Sequence, residues 1–273
     1  MGFSFEPGQF YGEAQFGMKG AAFDIRAQVA TGCEGDVQVH THHDAHFVLV
    51  LSGRFISSAR GARDSASAPT LIFNPPGTTH RDRFLKGVGT FVTLSMASRT
   101  YVDLSSDVAL ARDAIAIRSA DAFASAFRIA REIRNLRDPA SIESYGWELL
   151  AGAAAPCRPD CPPDWAARAY QSIVDRATEP HLKVTDVAAD ANVHPVHLAR
   201  VFREAWGCSP GELLRWRRVD RAADLLRRSS LTGAEIAAEI GFVDQSHMNR
   251  AFRAAYGIAP SAYRRQHVSR IQA

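Results

Sequence analysis

The residues best placed to do chemistry are histidines. His40-Thr41-His42-His43-Asp44-Ala45-His46 is followed by Gly53 and then by Pro75-Pro76-Gly77-Thr78-Thr79-His80. Residues two apart on a strand share a face, so His40 and His42 point one way and His43 the other, toward solvent. The Pro-Gly turn ahead of His80 can return the next strand beside them, and His46 lies four residues beyond His42. Four imidazoles gathered like this, from His40, His42, His46 and His80, suit Zn²⁺ or another first-row divalent ion. They equally suit a metal-free pocket for a small molecule, or purely structural histidines, and the pattern leaves all three open. No Ser/His/Asp or Cys/His arrangement for nucleophilic catalysis can be assembled from the sequence. Cys157 and Cys161 lie four apart with no second pair nearby to complete a metal or redox site, and Cys33 and Cys208 stand alone.

These residues need a scaffold, and 273 residues give room for about two domains. Hydrophobic residues at 46% and charged residues at 22% exclude disordered and collagen-like classes. The longest strongly apolar run, Phe47 to Leu51, is too short to span a bilayer, and Met1 to Glu6 lacks the basic and apolar regions of a secretory signal. With no cysteine framework, the expected location is the reducing cytoplasm, with no membrane partner. Between residues 20 and 105, short β-rich runs (47–51, 71–73, 91–94) are broken by Gly, Pro and Ser, which predicts a β-sandwich or barrel. Residues 119–137 switch to helical spacing, with Ser119 as cap and Phe123, Phe127, Ala130 and Ile133 on one face. Asp138-Pro139 should stop that helix, and Ile142, Tyr145 and Leu149 mark a second short one. Such a pair either covers one mouth of a barrel or forms a dimer seam. Four prolines within 156–163 then mark a linker.

Residues 164–273 read as nearly all helix and contain an internal repeat. Val187-Ala188 and Val193 match Ile236-Ala237 and Phe242 at an offset of 49. After one extra residue the offset is 50: His197-Leu198, Arg200, Phe202-Arg203, Gly207 and Pro210 match His247-Met248, Arg250, Phe252-Arg253, Gly257 and Pro260. Each copy has helix-turn-helix grammar. In copy one Thr185 caps a helix to Ala191 and a second runs from Pro195 to Trp206; in copy two Thr232 and Glu235 form a capping box and the next helix runs from about Asp244 to Tyr256. Val187, Val193, Leu198 and Phe202 should form one small core; Ile236, Phe242, Met248 and Phe252 should form the other. Ser209-Pro210-Gly211-Glu212 opens a connecting helix to about Arg228. Its arginines (215, 217, 218, 221, 227, 228) are read either as a solvated face or as phosphate contacts. Net charge is −1 over residues 1–163 and +4 over 164–273, almost all of the latter arginine.

Residues Ile236, Gly241-Phe242, Asp244, Phe252-Arg253, Gly257, Pro260 and Tyr263-Arg264 resemble the signature of the AraC-type transcription regulators, over about 170–267. The resemblance implies two helix-turn-helix units on one connecting helix, the second helix of each entering the major groove of double-stranded promoter DNA. Position by position, the first would offer Pro195, Val196, Ala199 and Arg200, and the second Gln245, Ser246, Asn249 and Arg250. Arg suits guanine, Gln and Asn suit adenine, and Val or Ala suits a thymine methyl. The histidine pattern resembles the two motifs of the cupin barrel, with His46 in place of the usual glutamate and Phe84 in place of the usual asparagine. AraC-type regulators often carry such a barrel as a small-molecule sensor. The implied fold is α+β in two domains: a cupin-like barrel (1–118), a helical segment offered for dimerisation (119–152), a linker (153–163) and an all-α double helix-turn-helix (164–273). The implied function is that of a regulator, an activator by family tendency, with an effector in the barrel, RNA polymerase and a second copy as partners, and no resident cofactor beyond a possible divalent metal. The alternative is a metal-dependent cupin enzyme or metal sensor fused to a DNA-binding domain; a catalytic barrel would leave the duplicated helix-turn-helix unexplained, so the chain is read as a non-enzyme.

Overall fold

The computed structural model describes residues 3–5, 9–30, 37–62, 64–67, 69–85, 89–105, 110–133, 138–154 and 162–268. Cys33, Cys157, Cys161, most of the expected linker and the end of the expected 119–137 helix lie outside these. Two compact units are present: Met1–Pro163 with Glu204–Gly207, and Asp164–Arg203 with Cys208–Ala273.

The first unit runs β1 (Phe3–Phe5), β2 (Glu13–Lys19), β3 (Phe23–Val29), β4 (His40–His42), β5 (Ala45–Ser52), β6 (Arg54–Ser57), β7 (Asp64–Ser67), β8 (Thr70–Asn74), β9 (Thr79–His80), β10 (Arg83–Phe84) and β11 (Thr90–Met96). Then come α1 (Ser98–Ser105), β12 (Ile115–Ile117), α2 (Ala120–Glu132) and α3 (Pro139–Ala154). Among the described residues the strands form a six-stranded sheet ordered β12-β8-β5-β11-β3-β2 and two three-stranded sheets, β1-β4-β9 and β10-β6-β7. β5 is central in the large sheet and buried on both faces, which is why it reads as a continuous apolar run without alternation. Phe47 and Leu49 face Ala126, Ile129 and Leu149 of the two helices, and His46, Val48 and Val50 alternate to the opposite face.

Ser119 caps α2 through the Ala122 N–H as its sequence predicts. Pro139 does not merely stop a helix: it opens α3, where a missing N–H costs nothing, and Asp138 accepts from the Ser141 N–H at 3.0 Å. α3 packs on β2 and β3. A Cβ on Gly146 would lie 2.4 Å from Phe23 Cδ2, so that approach requires glycine.

The second unit is helical: α4 (Asp164–Arg176), α5 (Val184–Asp190), α6 (Pro195–Trp206), α7 (Pro210–Arg228), α8 (Gly233–Glu239), α9 (Gln245–Tyr256) and α10 (Pro260–Val268). α7 is its spine, touching α4, α8, α9 and α10. Ser209 and Glu212 form the expected capping box with Pro210 in the first turn, and Leu213, Val219, Ala223 and Leu226 are buried. Thr232 and Glu235 cap α8 as predicted. In copy one the cap differs: α5 begins at Val184, and the Asp186 carboxylate reaches back to the Lys183 N–H, leaving Thr185 inside the first turn. The copy-two core contains Ile236, Phe242, Met248 and Phe252, joined by Ile240 and Tyr263. In copy one Val187, Leu198 and Phe202 are buried, whereas Val193 is only half-buried.

Candidate functional site

In the helical unit, the two turns are duplicates down to the backbone bonds. The Ala191 and Ile240 N–H groups donate to Val187 and Ile236 carbonyls, both at 3.1 Å. Five residues' reach closes each turn, Val193 N–H to Ala188 O at 3.0 Å and Phe242 N–H to Ala237 O at 2.9 Å. The residue between must take a left-handed conformation, and it is Asn192 (φ 54°) in one copy and Gly241 (φ 79°) in the other. The helix that follows is then launched identically, Leu198 N–H bonding to His194 O and Met248 N–H to Asp244 O. Asp244 also accepts from the His247 N–H at 2.6 Å; His194 Nδ1 accepts from the Val196 N–H at 3.3 Å in the matching place.

On α6, Leu198, Val201 and Phe202 are buried while Val196 and Arg200 are exposed and Ala199 is half-exposed. On α9, Met248, Ala251 and Phe252 are buried, Gln245, Ser246 and Arg250 exposed, and Asn249 half-exposed. Every residue offered to DNA by the sequence thus sits on the side of its helix away from the core. Val196 is 70% exposed and Val243, at the entry to α9, 88% exposed. Val243 carries no periodic signal, because it lies in the turn, and sequence reasoning passed over it.

A family profile described as a helix-turn-helix domain matches residues 187–266. An HTH-type transcriptional activator, AarP of Providencia stuartii, is 37% identical over 83 residues, 30% of this chain and 62% of that protein. An uncharacterized HTH-type regulator, YfiF of Bacillus subtilis, is 37% identical over 92 residues, 34% of this chain and 29% of its own length. A solved AraC-type DNA-binding regulator from Chromobacterium violaceum is 26% identical, covering 38% of this chain and 91% of that one, with a TM-score of 0.35. The helical unit belongs to the AraC-type helix-turn-helix family. The chain spans less than two thirds of the length of the AarP and YfiF relatives, and α6 and α9 are the second helices of its two helix-turn-helix units.

Within the AraC-type unit, the connecting-helix arginines are mostly engaged. Arg218 Nε donates to Ala177 O at 2.8 Å and its Nη2 to Glu179 O and Leu182 O at 3.3 and 3.4 Å, pinning the loop between α4 and α5. Asp224 pairs with Arg221, Arg227 and Arg228, and Arg217 lies 4.0 Å from Asp220. Of the described residues, no helix is long and apolar enough to cross a membrane.

The β-unit brings the four histidines together. His40 and His42 share a face of β4, and His80 on β9 is paired directly with His40. β4 turns into β5 through His43-Asp44, which delivers His46 from the facing sheet. Ring centroids lie 4.7 Å apart for His40–His80, 5.0 Å for His40–His42, 4.4 Å for His42–His46 and 5.1 Å for His42–His80. All four are buried, and His43 is exposed as expected. Burial pushes the His40, His42 and His46 imidazoles down, His46 to about 4, so these rings are neutral near pH 7.

Hydrogen bonding separates them. His40 Nδ1–H donates to the Gln38 carbonyl at 2.8 Å. His46 Nδ1–H donates to the Asp44 carbonyl at 3.2 Å, and its Nε2 accepts from the Asn74 amide at 3.1 Å. His80 Nδ1 lies 2.9 Å from Asp82 Oδ2 without hydrogen-bond alignment. Neither ring nitrogen of His42 has a hydrogen-bond partner, its nearest carboxylate oxygen being Asp44 Oδ1 at 3.9 Å. Ligand atoms of His40, His42 and His80 lie within 4.8 Å of one another, as do those of His42, Asp44 and His46.

The first trio opens on a cavity of about 530 Å³, mouth included, lined also by Phe10, Tyr11, Val48, Phe55, Asp82, Arg83, Phe84 and Phe91. Phe84, the departure from the cupin pattern, is part of its aromatic wall, 5.2 Å from Phe55 and 5.5 Å from Phe91 between ring centroids. Phe5 and Phe10 pack on the rings of His40 and His42. These aromatic contacts come from β1 and a loop, where no periodicity announces them. Asp82, two residues after His80, is a signal the sequence offered and its reading passed over.

Proposed function

We propose that this chain is a cytoplasmic transcription regulator, an activator, that reads promoter DNA through Val196, Ala199, Arg200, Gln245, Ser246, Asn249 and Arg250 and takes a small-molecule effector into the cavity beside His40, His42 and His80. The observation that carries the reading is the duplicated turn. Two helix-turn-helix units with the same backbone bonds present matched exposed faces, with Arg200 and Arg250 in register. The AarP relative is named an activator, which supports that sign. The cavity's apolar wall of Phe10, Phe55, Phe84 and Phe91, with the polar groups of His40, His42 and His80 converging on it, supports the sensor role for residues 1–118. His46 takes a supporting place, since Asn74 and Asp44 hold both its nitrogens. The helices at 119–152 serve as the homodimer seam, RNA polymerase is the downstream partner, and effector binding shifts the population of DNA-competent dimers.

Genomic footprinting of the full chain, followed by hydroxyl-radical footprinting on a recovered site, tests the DNA reading. Two protected major-groove segments on one face of the duplex, about one turn or ~34 Å apart, are expected. Protection of a single segment overturns it. A thermal-shift screen of small molecules tests the sensor: hits should lose their effect in Phe84→Trp, which fills the cavity, and hits indifferent to that change overturn it.

A further inference from the structure

We infer that the effector is a hydroxylated aromatic of the phenol class, its ring set against the cavity's phenylalanines and its hydroxyl hydrogen-bonded directly to the imidazoles of His40, His42 and His80. This rests on the reading of the cavity as the effector site and adds the chemistry by which the effector is chosen.

The polar end of the cavity is rich in acceptors and short of donors. His40 Nδ1–H is spent on the Gln38 carbonyl, so its Nε2 carries a lone pair. The Asp82 carboxylate, 2.9 Å from His80 Nδ1, draws that ring's proton to Nδ1 and leaves a lone pair on Nε2 there too. His42, fully buried beside both, has no hydrogen-bond partner at either nitrogen; as a neutral ring it offers one N–H and one more lone pair. His80 Nε2 and Asp82 Oδ1 are likewise buried without a hydrogen-bond partner. One nitrogen from each of the three rings lies within 4.8 Å of the other two, close enough for a single small group to meet more than one ring. Buried polar atoms left unpaired are costly, and several converging ones are unusual unless something binds there. Lone pairs facing a single N–H are complemented by a group that donates one hydrogen bond and accepts another, and a hydroxyl does both.

Other head groups fit less well. A carboxylate only accepts, so it would set its charge against these lone pairs and Asp82 with one N–H to receive it; Arg83, which also lines the cavity, makes it the rival to test. An ammonium only donates, which leaves the His42 N–H unpaired and places a second cation beside Arg83. The body of the ligand is set by the rest of the lining, where Val48, Phe55, Phe84 and Phe91 offer no hydrogen bond. Phe84 lies 5.2 Å from Phe55 and 5.5 Å from Phe91 between ring centroids, and such rings receive a further aromatic ring edge-on or offset. A sugar would leave its hydroxyls unpaired against them.

The test is calorimetric titration of the full-length, untagged protein in chelator near pH 7, with three probes built on one ring: p-cresol, its methyl ether 4-methylanisole, and p-toluate. p-Cresol both donates and accepts, the ether keeps only the acceptor, and p-toluate brings a charged acceptor. p-Cresol is expected to bind about tenfold or more tighter than either, because a site built for a hydroxyl is left unpaired by an analogue without one. His42→Phe keeps a buried ring and should bring p-cresol level with the ether, with a native melting curve. Equal affinity for p-cresol and its ether in the parent protein, tighter binding of p-toluate, or p-cresol binding that requires added Zn²⁺ overturns the inference. So does failure of p-cresol to bind at millimolar concentration, or a folded His42→Phe that keeps the preference. If the probes fail while the small-molecule screen still returns hits that Phe84→Trp abolishes, the effector reading stands and only the phenol class falls.

Discussion

Arg218 sits on the connecting helix among arginines that a basic DNA-binding segment would be expected to turn toward phosphates. The structure gives it different work. Its guanidinium donates to three carbonyls of the loop 177–182, once at 2.8 Å and twice at 3.3–3.4 Å. A hydrogen bond from a charged donor is worth roughly 1.5–3 kcal/mol net, and the two long contacts add about one weaker bond between them. Glu179 is exposed, so water can replace the lost donor there, whereas Ala177 and Leu182 are buried and part of the penalty of an orphaned carbonyl applies. Arg218→Ala should therefore destabilise the helical unit by about 2–4 kcal/mol, on the order of 10 °C in its melting midpoint. Circular dichroism melts measure this, and fluorescence anisotropy against operator DNA over a salt series, well below the midpoint, measures the second half. If Arg218 is structural, the slope of log K against log salt stays as in the parent protein. A phosphate contact would lower that slope by about 1 with little change in melting. That pair of results would refute the assignment.

Arg250→Ala should show the opposite pattern, losing about 1–3 kcal/mol on the specific site and far less on random DNA, with melting unchanged; equal losses on both DNAs would make it a phosphate contact only. Gly257 has φ 71° at the end of α9, so Gly257→Ala should cost about 1–2 kcal/mol in chemical denaturation, and no loss would mean the cap relaxes. α7 has 19 residues, about 28 Å at 1.5 Å per residue, so one protomer's site should span roughly 15–20 base pairs with unlike half-sites, since Val196 and Ala199 stand where copy two has Ser246 and Asn249. Methylation-interference mapping that returned two identical half-sites would contradict this.

Much of the helical unit was legible in its residues because its rules are local. Capping boxes at Ser209–Glu212 and Thr232–Glu235 act within one turn, and glycine at 257 answers a local backbone need. The same locality let the repeat be read as two turns of one shape and the buried residues of α6 and α9 be named from spacing, while their exposed residues were offered to DNA by the family resemblance. Thr185 failed as a cap for an equally local reason: Asp186, one residue on, competes for the same helix start. At the histidines, spacing put His40 and His42 on one face, and the Pro-Gly turn brought His80 back. Which imidazole keeps a nitrogen free was decided only by the assembled sheets. Asn74 reaches His46 across 28 residues of sequence, and β1 brings Phe5 onto His40 and His42. Arg218 was misread as a surface charge for the same reason, its acceptors lying 36 to 41 residues away. Local sequence determines which backbone shapes and faces exist, because caps, turns and periodicities are satisfied within a few residues. Which buried nitrogen or guanidinium finds a partner depends on groups brought together from distant parts of the chain, and only the folded structure supplies those.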